Sequence, residues 1–535
     1  MDAFRVTTTT GPAGPDRSGE PEDLQGLCAR LALPYYDHLP APQLPPRLVE
    51  ELNVAWARKN RLVPLSATDD RLVIATSMPL ALEPMDELAF TLGRRVEVVG
   101  APEAEVLQAL NLVFSESMDT ADDVLKEIAK AEGLDNTFEA VTDLIDSSDS
   151  APVIKLVNRV LFQAVSERAS DIHIEPGTDN VEIRFRIDGV LYDRLSPPKG
   201  YLPFLSSRIK VMADLDIAEK RLPQDGRFRF TLAERNIDVR VSIIPTSDGE
   251  RVVLRLLDKS SALLGLEDLG MDHDNLEVFR RLISRPHGII LATGPTGSGK
   301  TTTLYAALTQ LNSRERNIMT IEDPVEYRLP GVGQIQVNPK VGLDFARGLR
   351  SVLRHDPDVI MIGEIRDLET AEIAIQSALT GHLVFSTLHT NDAASAVTRL
   401  VDMGVEPYLV SSAVTGVEAQ RLVRVLCPHC RRPEQPSAQS LVRAGLPPDA
   451  LDGVQVFRPQ GCEHCFFTGY HGRTGVYELL VIDEPIQKTL AGTSEANKIR
   501  TAALKAGMRP LLDDGLRKVR AGQTSFEEVL RVTLT

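Results

Sequence analysis

Tryptophan occurs once in this chain and aromatic residues make up only 5% of it. Basic charge is also short: 59 Lys and Arg stand against 75 Asp and Glu, a formal net charge of −16. Residues 1–150 carry 27 acids and 12 bases, whereas the remainder is nearly balanced at 48 and 47. A chain with no basic domain and no aromatic-studded basic patch lacks the electrostatic footprint of a nucleic-acid binder, so nucleic acid is excluded as a substrate. No run approaches the roughly 18 consecutive apolar residues of a spanning helix, and the opening MDAFRVTTTTGPAGPDRSGEPED has no apolar signal-peptide core. The expectation is a chain made and kept in the cytosol. Cysteine appears five times.

What is present is ordinary globular text, 43% hydrophobic and 25% charged over 535 residues. Wholesale disorder and a single core are both excluded, and about three or four domains are expected. Residues 1–23 are rich in Thr, Gly, Pro and charge and read as a disordered arm. Residues 24–112 read as a small α/β module with strand-like runs at Arg71–Ala75 and Arg95–Val99. Residues 113–150 are acidic and end in Ser-Ser-Asp-Ser, the text of a solvated linker.

A helix is expected from near Pro152, since Val153, Val157, Val160, Leu161 and Ala164 share a face. Alternating strands follow at 181–189, 227–232, 237–244 and 251–257, predicting an antiparallel meander over 151–258. After a short connection at 259–270 the pattern becomes strand, Gly-rich turn, helix, strand, helix over 271–426, the text of a parallel α/β sheet. A four-cysteine segment at 427–470 interrupts it, and 471–535 reads as a helical tail.

The strongest chemical signal is Gly288-Ile-Ile-Leu-Ala-Thr-Gly-Pro-Thr-Gly-Ser-Gly-Lys-Thr301, a hydrophobic strand running through a G-x-x-x-x-G-K-T loop into a helix. Here the motif has its required context. Gly294, Pro295, Thr296, Gly297, Ser298 and Gly299 form a loop whose backbone N–H groups can turn inward around phosphate oxygens, with the helix dipole behind them. Lys300 would neutralise the β and γ phosphates and Thr301 would ligate magnesium, so a nucleoside triphosphate and Mg2+ are the expected ligands. Turnover needs a carboxylate as well. Asp358–Glu364 is a buried strand with Glu364 at its C-terminal end, Asn317–Asp323 delivers Glu322 and Asp323 to the same sheet edge, and His382–His389 delivers His389. Either Glu364 or Glu322 could orient the attacking water.

Cys427-Pro-His-Cys430 and Cys462-Glu-His-Cys465 are two C-x-x-C knuckles 31 residues apart. In a reducing compartment such pairs read as a metal site, and four thiolates make a closed structural zinc site with no open position for catalysis. Cys28 stands alone and reads as a small buried hydrophobe.

The order of Ser170–Pro176, Arg186–Val190, Arg221–Arg227, the phosphate loop, Thr320–Pro324, Gly363–Asp367, Leu379–His382, Ser386–Asn391 and Gln420–Val423 resembles that of the secretion-superfamily ATPases, most of all the type II secretion assembly ATPases. The resemblance runs from about residue 150 to the C-terminus and more weakly over 24–112. It implies an α/β multidomain fold with a RecA-like motor, a preceding α+β domain that closes on nucleotide, an N-terminal docking module and an inserted zinc module. It further implies a homo-hexamer, peripherally attached to the inner membrane through residues 24–112 and a platform protein. On that likeness Glu364 belongs to the acidic strand beside the phosphates, and Arg240 and Arg255 would reach the nucleotide when the second domain closes. Glu322 with Asp323, and His382 with His389, fall in two further conserved boxes of the family, and Arg350, Arg354 and Arg366 become candidates for phosphate or inter-subunit contacts. The implied work is ATP hydrolysis that drives pseudopilus assembly and export of folded proteins. The alternatives are the type IV pilus assembly ATPases, a nucleotide-gated scaffold without turnover, and a DNA-translocating motor, which the acidic N-terminal region and the lack of aromatic-studded basic patches disfavour.

Overall fold

A computed structural model describes residues 24–110 apart from 41, 43, 45–53, 69, 104 and 108, and then 151–232, 235–258, 264–451 and 453–533. The expected arm at 1–23, the acidic linker at 113–150 and the first part of the 259–270 connection lie outside the described residues. The chain divides into two compact units, with the break between Arg159 and Val160 inside the helix Ala151–Ser166.

The first unit holds a three-stranded sheet, β1 (Leu62–Ala67), β2 (Arg71–Thr76) and β3 (Arg95–Gly100), with β1 antiparallel and β3 parallel to β2. β1 was not foreseen because Pro64 interrupts its apolar run, and the strand accommodates it at a register shift between Pro64 and Ser66. Leu62, Val63, Leu72 and Ile74 are buried in its core. Cys28 is also fully buried, and a Cβ built on Gly100 would stand 2.2 Å from its sulfur, so this thiol acts as packing.

The second unit opens with a six-stranded antiparallel sheet: β4 (Ala169–Pro176), β5 (Val181–Ile187), β6 (Val190–Leu195), β7 (Gln224–Leu232), β8 (Arg235–Thr246) and β9 (Gly249–Asp258), ordered β6-β5-β4-β9-β8-β7. It is two three-stranded meanders joined where β4 pairs β9, rather than the single meander expected. β4 escaped notice because Asp171, His173 and Glu175 dilute its apolar pattern, although Ile172 and Ile174 are buried. In β5 the alternation is clear, with Val181, Ile183, Phe185 and Ile187 all buried.

A seven-stranded sheet follows, built from β10 (Gly288–Thr293), β11 (Ile318–Glu322), β12 (Gly333–Gln336), β13 (Val359–Ile362), β14 (Leu383–Leu388), β15 (Val414–Leu426) and β18 (Tyr470–Val481), in the order β12-β11-β13-β14-β10-β15-β18. Every residue of β10, β13 and β14 is buried, as central parallel strands covered by helices on both faces must be. β18 runs antiparallel to β15, so the sheet is mixed and residues 471–481 are strand; the helical tail begins at Glu484. Between β15 and β18 lies the four-cysteine segment, with the short pair β16 (Arg432–Glu434) and β17 (Val456–Arg458). Leu266 and Leu269 are buried before this sheet begins, so the end of the expected 259–270 connection is packed rather than free.

Candidate functional site

β10 ends at Thr293 and the chain turns through Gly294–Gly299 into the helix Lys300–Leu311. Two glycines are dictated by close approach. Gly294 has φ 147°, and a Cβ there would stand 2.5 Å from the carbonyl oxygen of Gln420 and 2.6 Å from Ser298 Oγ. Gly299 has φ 93°, and its Cβ would meet Gln420 Nε2 at 2.8 Å. The loop therefore rests on Gln420 of β15, whose Oε1 accepts from Thr303 Oγ1 at 3.0 Å. Ser298 Oγ is buried without a hydrogen-bond partner, a donor left over in a loop shaped to bind an anion. Lys300 is 8% exposed, and its Nζ donates to the carbonyl oxygens of Gly294 at 2.7 Å and Pro295 at 3.1 Å. Burial pushes its ammonium down to about 8, Glu364 pulls it up and Arg421 adds to the depression. These residues fit a polyphosphate carrying magnesium: a buried, unpartnered Ser298 hydroxyl, a buried ammonium and the Thr301 hydroxyl at the start of the helix.

β14 is inserted between β10 and β13, in register with both. Thr387 Oγ1 donates to the Gly363 carbonyl at 2.7 Å and the Ile365 N–H returns to the Thr387 carbonyl at 3.1 Å, which fixes the peptide on either side of Glu364. Its carboxylate, with a side chain 16% exposed, lies 2.5 Å from Arg366 Nη2 and 3.5 Å from His389 Nε2. Thr390 N donates to Thr293 Oγ1 at 2.9 Å, tying the segment after His389 to the end of the phosphate-loop strand. Glu364, His389 and Lys300 thus share one edge of the sheet. His382 precedes β14 instead, and its Nδ1 lies 2.8 Å from the Ser377 carbonyl at the opposite edge.

Glu322 is placed differently. It ends β11, three strands from β10 and so about 14 Å across the sheet at roughly 4.8 Å per strand. It is 2% exposed, and Tyr305 Oη, Thr320 Oγ1 and Gln334 Nε2 all donate to its carboxylate. Those bonds commit it to the core beneath the helix Lys300–Leu311. Asp323 is exposed one residue on, near enough to Arg366 to raise its pKa together with Glu364. Arg350 is paired with Glu369 at 2.5 Å, and Arg354 donates to the Arg350 carbonyl at 2.9 Å.

In the six-stranded sheet Arg227, Arg240 and Arg255 stand in one cross-strand row on β7, β8 and β9, lining a cavity of about 570 Å³. Arg255 Nε donates to Asp171 at 2.9 Å, while Arg240 Nη2 lies 4.0 Å from Glu326, four residues after Glu322. Sequence reasoning did not single out Arg227, although register with Arg240 is implied once the β7–β8 hairpin is recognised. It also left Arg421 inside a quoted motif without a role. Arg421 is 7% exposed, donates to the carbonyls of Gln420 and Asn391 and lines a cavity of about 290 Å³ against Pro295–Ser298. The signal was available: Glu418, Gln420 and Arg421 put three polar residues into an otherwise apolar core strand.

The four cysteine sulfurs lie within 4.8 Å of one another. Sγ–Sγ separations are 3.9 Å for Cys427–Cys462, 3.8 Å for Cys430–Cys465 and 3.7 Å for Cys462–Cys465. Four ligands about 2.3 Å from a central zinc make a tetrahedron with edges of about 3.8 Å, so the cluster fits that ion. Burial opposes ionisation of Cys465, but the N–H groups of Cys462 and Gly469, each 3.2 Å from its sulfur, help bring it down to about 7.

A family described as "Type II/IV secretion system protein" matches residues 146–531, and an MshEN domain matches residues 31–120. The chain is similar to the Type II secretion system ATPase E of Vibrio cholerae, 50% identical over 85% of this chain and 91% of that protein. It is also 43% identical to the Type IV pilus assembly ATPase PilB of Myxococcus xanthus, over 91% of this chain and 86% of that one. Among solved structures, the Legionella pneumophila ATPase DotB aligns at a TM-score of 0.52 and 23% identity, over 71% of this chain and 95% of its own, a likeness of fold.

Proposed function

The chain belongs to the type II/IV secretion system protein family, and from that premise we propose that it is an ATPase that powers export by a type II secretion system. The observation that carries this reading is the convergence of Lys300, Glu364 and His389 on one sheet edge beside a loop whose glycines are sterically required. That chemistry would serve a secretion or a pilus assembly motor alike, and the 50% identity to a type II secretion ATPase over most of both chains supports the pathway.

In the mechanism, the phosphate-loop N–H groups and Lys300 bind the triphosphate, and Lys300 leaves the carbonyls of Gly294 and Pro295 to do so. Glu364, oriented by Arg366 and His389, accepts a proton from the attacking water. Magnesium bound through Thr301 would neutralise charge on the phosphates. Arg240 and Arg255 approach the phosphates as the 151–258 domain closes over the 271–426 motor, which converts hydrolysis into movement. The four-cysteine module is a structural zinc site that steadies the span between β15 and β18. Among the described residues no helix is long and apolar enough to cross a membrane. The working form is a cytoplasmic homo-hexamer attached to the inner membrane through residues 24–112 and a platform protein, and its strokes add subunits to a pseudopilus.

The test is phosphate release by the purified protein and its Lys300→Ala variant, followed by the same substitution in the native organism with secreted enzymes and surface pili assayed together. Loss of turnover and of secreted enzymes, with pili intact, is the expected result. Loss of pili alone would move the chain to pilus assembly, and wild-type protein without ATP turnover would overturn the enzymatic reading.

A further inference from the structure

The cavity beside the phosphate loop is lined by Thr296 and Ser298 together with Arg421, Arg473, Arg531 and the carboxylate of Asp188, which is paired with Arg473 at 3.5 Å. Arg531 belongs to the last helix of the chain, Phe526–Thr533. It is half exposed, at 48%, and gives two hydrogen bonds to Glu528, from Nε at 2.9 Å and from Nη2 at 2.6 Å. Glu528 is 1% exposed. It also accepts from the backbone N–H of Arg424 at 3.1 Å and from Arg424 Nη2 at 2.7 Å. Arg424 lies on β15, over the ring of Tyr470 at 4.0 Å, and its other nitrogen, Nη1, donates to Tyr192 Oη at 2.7 Å. Tyr192 is on β6, in the six-stranded sheet. One unbroken chain of charge-assisted bonds therefore runs from the phosphate-loop cavity to the edge of the other sheet.

We propose that Arg531 contacts the bound nucleoside triphosphate and that Glu528 passes this contact to Arg424 and Tyr192, so that nucleotide occupancy loosens the hold on the 151–258 domain. The inference rests on the ATP-binding reading of the phosphate loop. Its physical basis is competition for one guanidinium. Glu528 is buried, and its two arginine partners hold the carboxylate down near 2 against the effect of burial, so it stays charged throughout. An anionic nucleotide in the cavity draws Arg531 outward, where Arg421 is hydrogen-bonded only to neutral oxygens of Gln420 and Asn391 while Arg473 lies 3.5 Å from Asp188. Glu528 is then compensated by Arg424 alone, which is pulled toward it and away from the Tyr192 hydroxyl. Arg531 is thus a nucleotide-binding residue, and Glu528 and Arg424 are positioning residues.

The test is steady-state ATP hydrolysis together with hydrogen exchange on the full chain, with and without a non-hydrolysable ATP analogue at saturation. Arg531→Gln should raise the KM for ATP about tenfold while kcat falls less than threefold, the loss of one charge-assisted contact, and Arg531→Lys should recover part of it. In the wild type the analogue should protect 294–301 and speed exchange at 190–195; in Arg531→Gln the protection should persist and the change at 190–195 should vanish. Tyr192→Phe, which keeps the ring, should show fast exchange at 190–195 without nucleotide, so the proposal does not depend on a Glu528 variant that fails to fold. Wild-type KM in Arg531→Gln, or an unaltered nucleotide response at 190–195, overturns the proposal. Absence of protection at 294–301 in the wild type would instead overturn the ATP-binding reading beneath it.

Discussion

Lys300 Nζ lies 2.7 Å from the carbonyl oxygen of Gly294, six residues earlier in the same loop, so the side chain that is to meet phosphate is held inside the turn that phosphate must enter. Burial brings this ammonium down to about 8. Below that pH the free protein already carries the charge that binding needs. Above it, a proton must be taken up as the nucleotide arrives. Affinity should therefore fall by up to tenfold per pH unit above about 8, one pKa unit being worth a factor of ten. Titration with a fluorescent ATP analogue between pH 7 and 9 measures the slope, and Lys300→Ala should bind weakly with no slope at all. An equal slope in both proteins would assign the titration to another group.

The two glutamates should separate kinetically. Glu364→Gln keeps the shape of a side chain held by Arg366 and His389 but removes its basicity, so kcat should drop by about a hundredfold or more with KM little changed. Glu322→Gln disturbs a buried carboxylate that accepts from Tyr305, Thr320 and Gln334. It should cost about 1 to 3 kcal/mol of stability and leave kcat within a few-fold. Phosphate release and thermal unfolding of both variants decide the matter; turnover lost equally in both would place Glu322 in the chemistry.

Zinc content should be one ion per chain. The four sulfurs already stand at tetrahedral spacing, and Cys465 is favoured as thiolate by two backbone N–H groups, so a chelator has to compete with a preorganised cluster. Cys465→Ser should lose the ion and lower the melting temperature by several degrees, read by elemental analysis and calorimetry. Metal-free protein with an unchanged melting curve would falsify the structural assignment.

The phosphate loop and the cysteine pairs were legible because each is a local pattern: spacing alone brings Gly294, Lys300 and Thr301 together, and a C-x-x-C knuckle closes on itself. The parallel strands were legible because full burial demands continuous apolar runs such as Val359–Ile362. What sequence could not separate was Glu322 from Glu364, since both end hydrophobic strands. Strand order sets the two apart in space, with β14 inserted beside β10 and β11 displaced to the far side of β13, and that order is set by long-range pairing. Likewise Arg531 comes to line a cavity with the phosphate loop across more than 230 residues of chain. β4 was missed because Asp171, His173 and Glu175 interrupt its apolar alternation, and its neighbours β5 and β9 supply the cations that make the carboxylates tolerable.

Glu418 is the residue whose cost the fold bears most plainly. It sits mid-strand in β15, opposite Ala292 and Leu479, fully buried with neither carboxylate oxygen hydrogen-bonded. Burial pushes its carboxyl up to about 8, so it is neutral at physiological pH. An acid whose folded pKa is raised binds its proton more tightly in the folded state. The folded state is therefore unpenalised by it below about 4.5, where the unfolded chain is also protonated, and loses stability as pH rises from there to about 8. The slope over that window is about 1.4 kcal/mol per pH unit. Glu418→Gln keeps the volume and removes the titration, so the variant should gain on the wild type steadily from pH 5 to pH 8. Denaturant unfolding at both pH values gives the difference, and a gain that does not grow with pH would mean that the carboxyl finds a partner or water within the core.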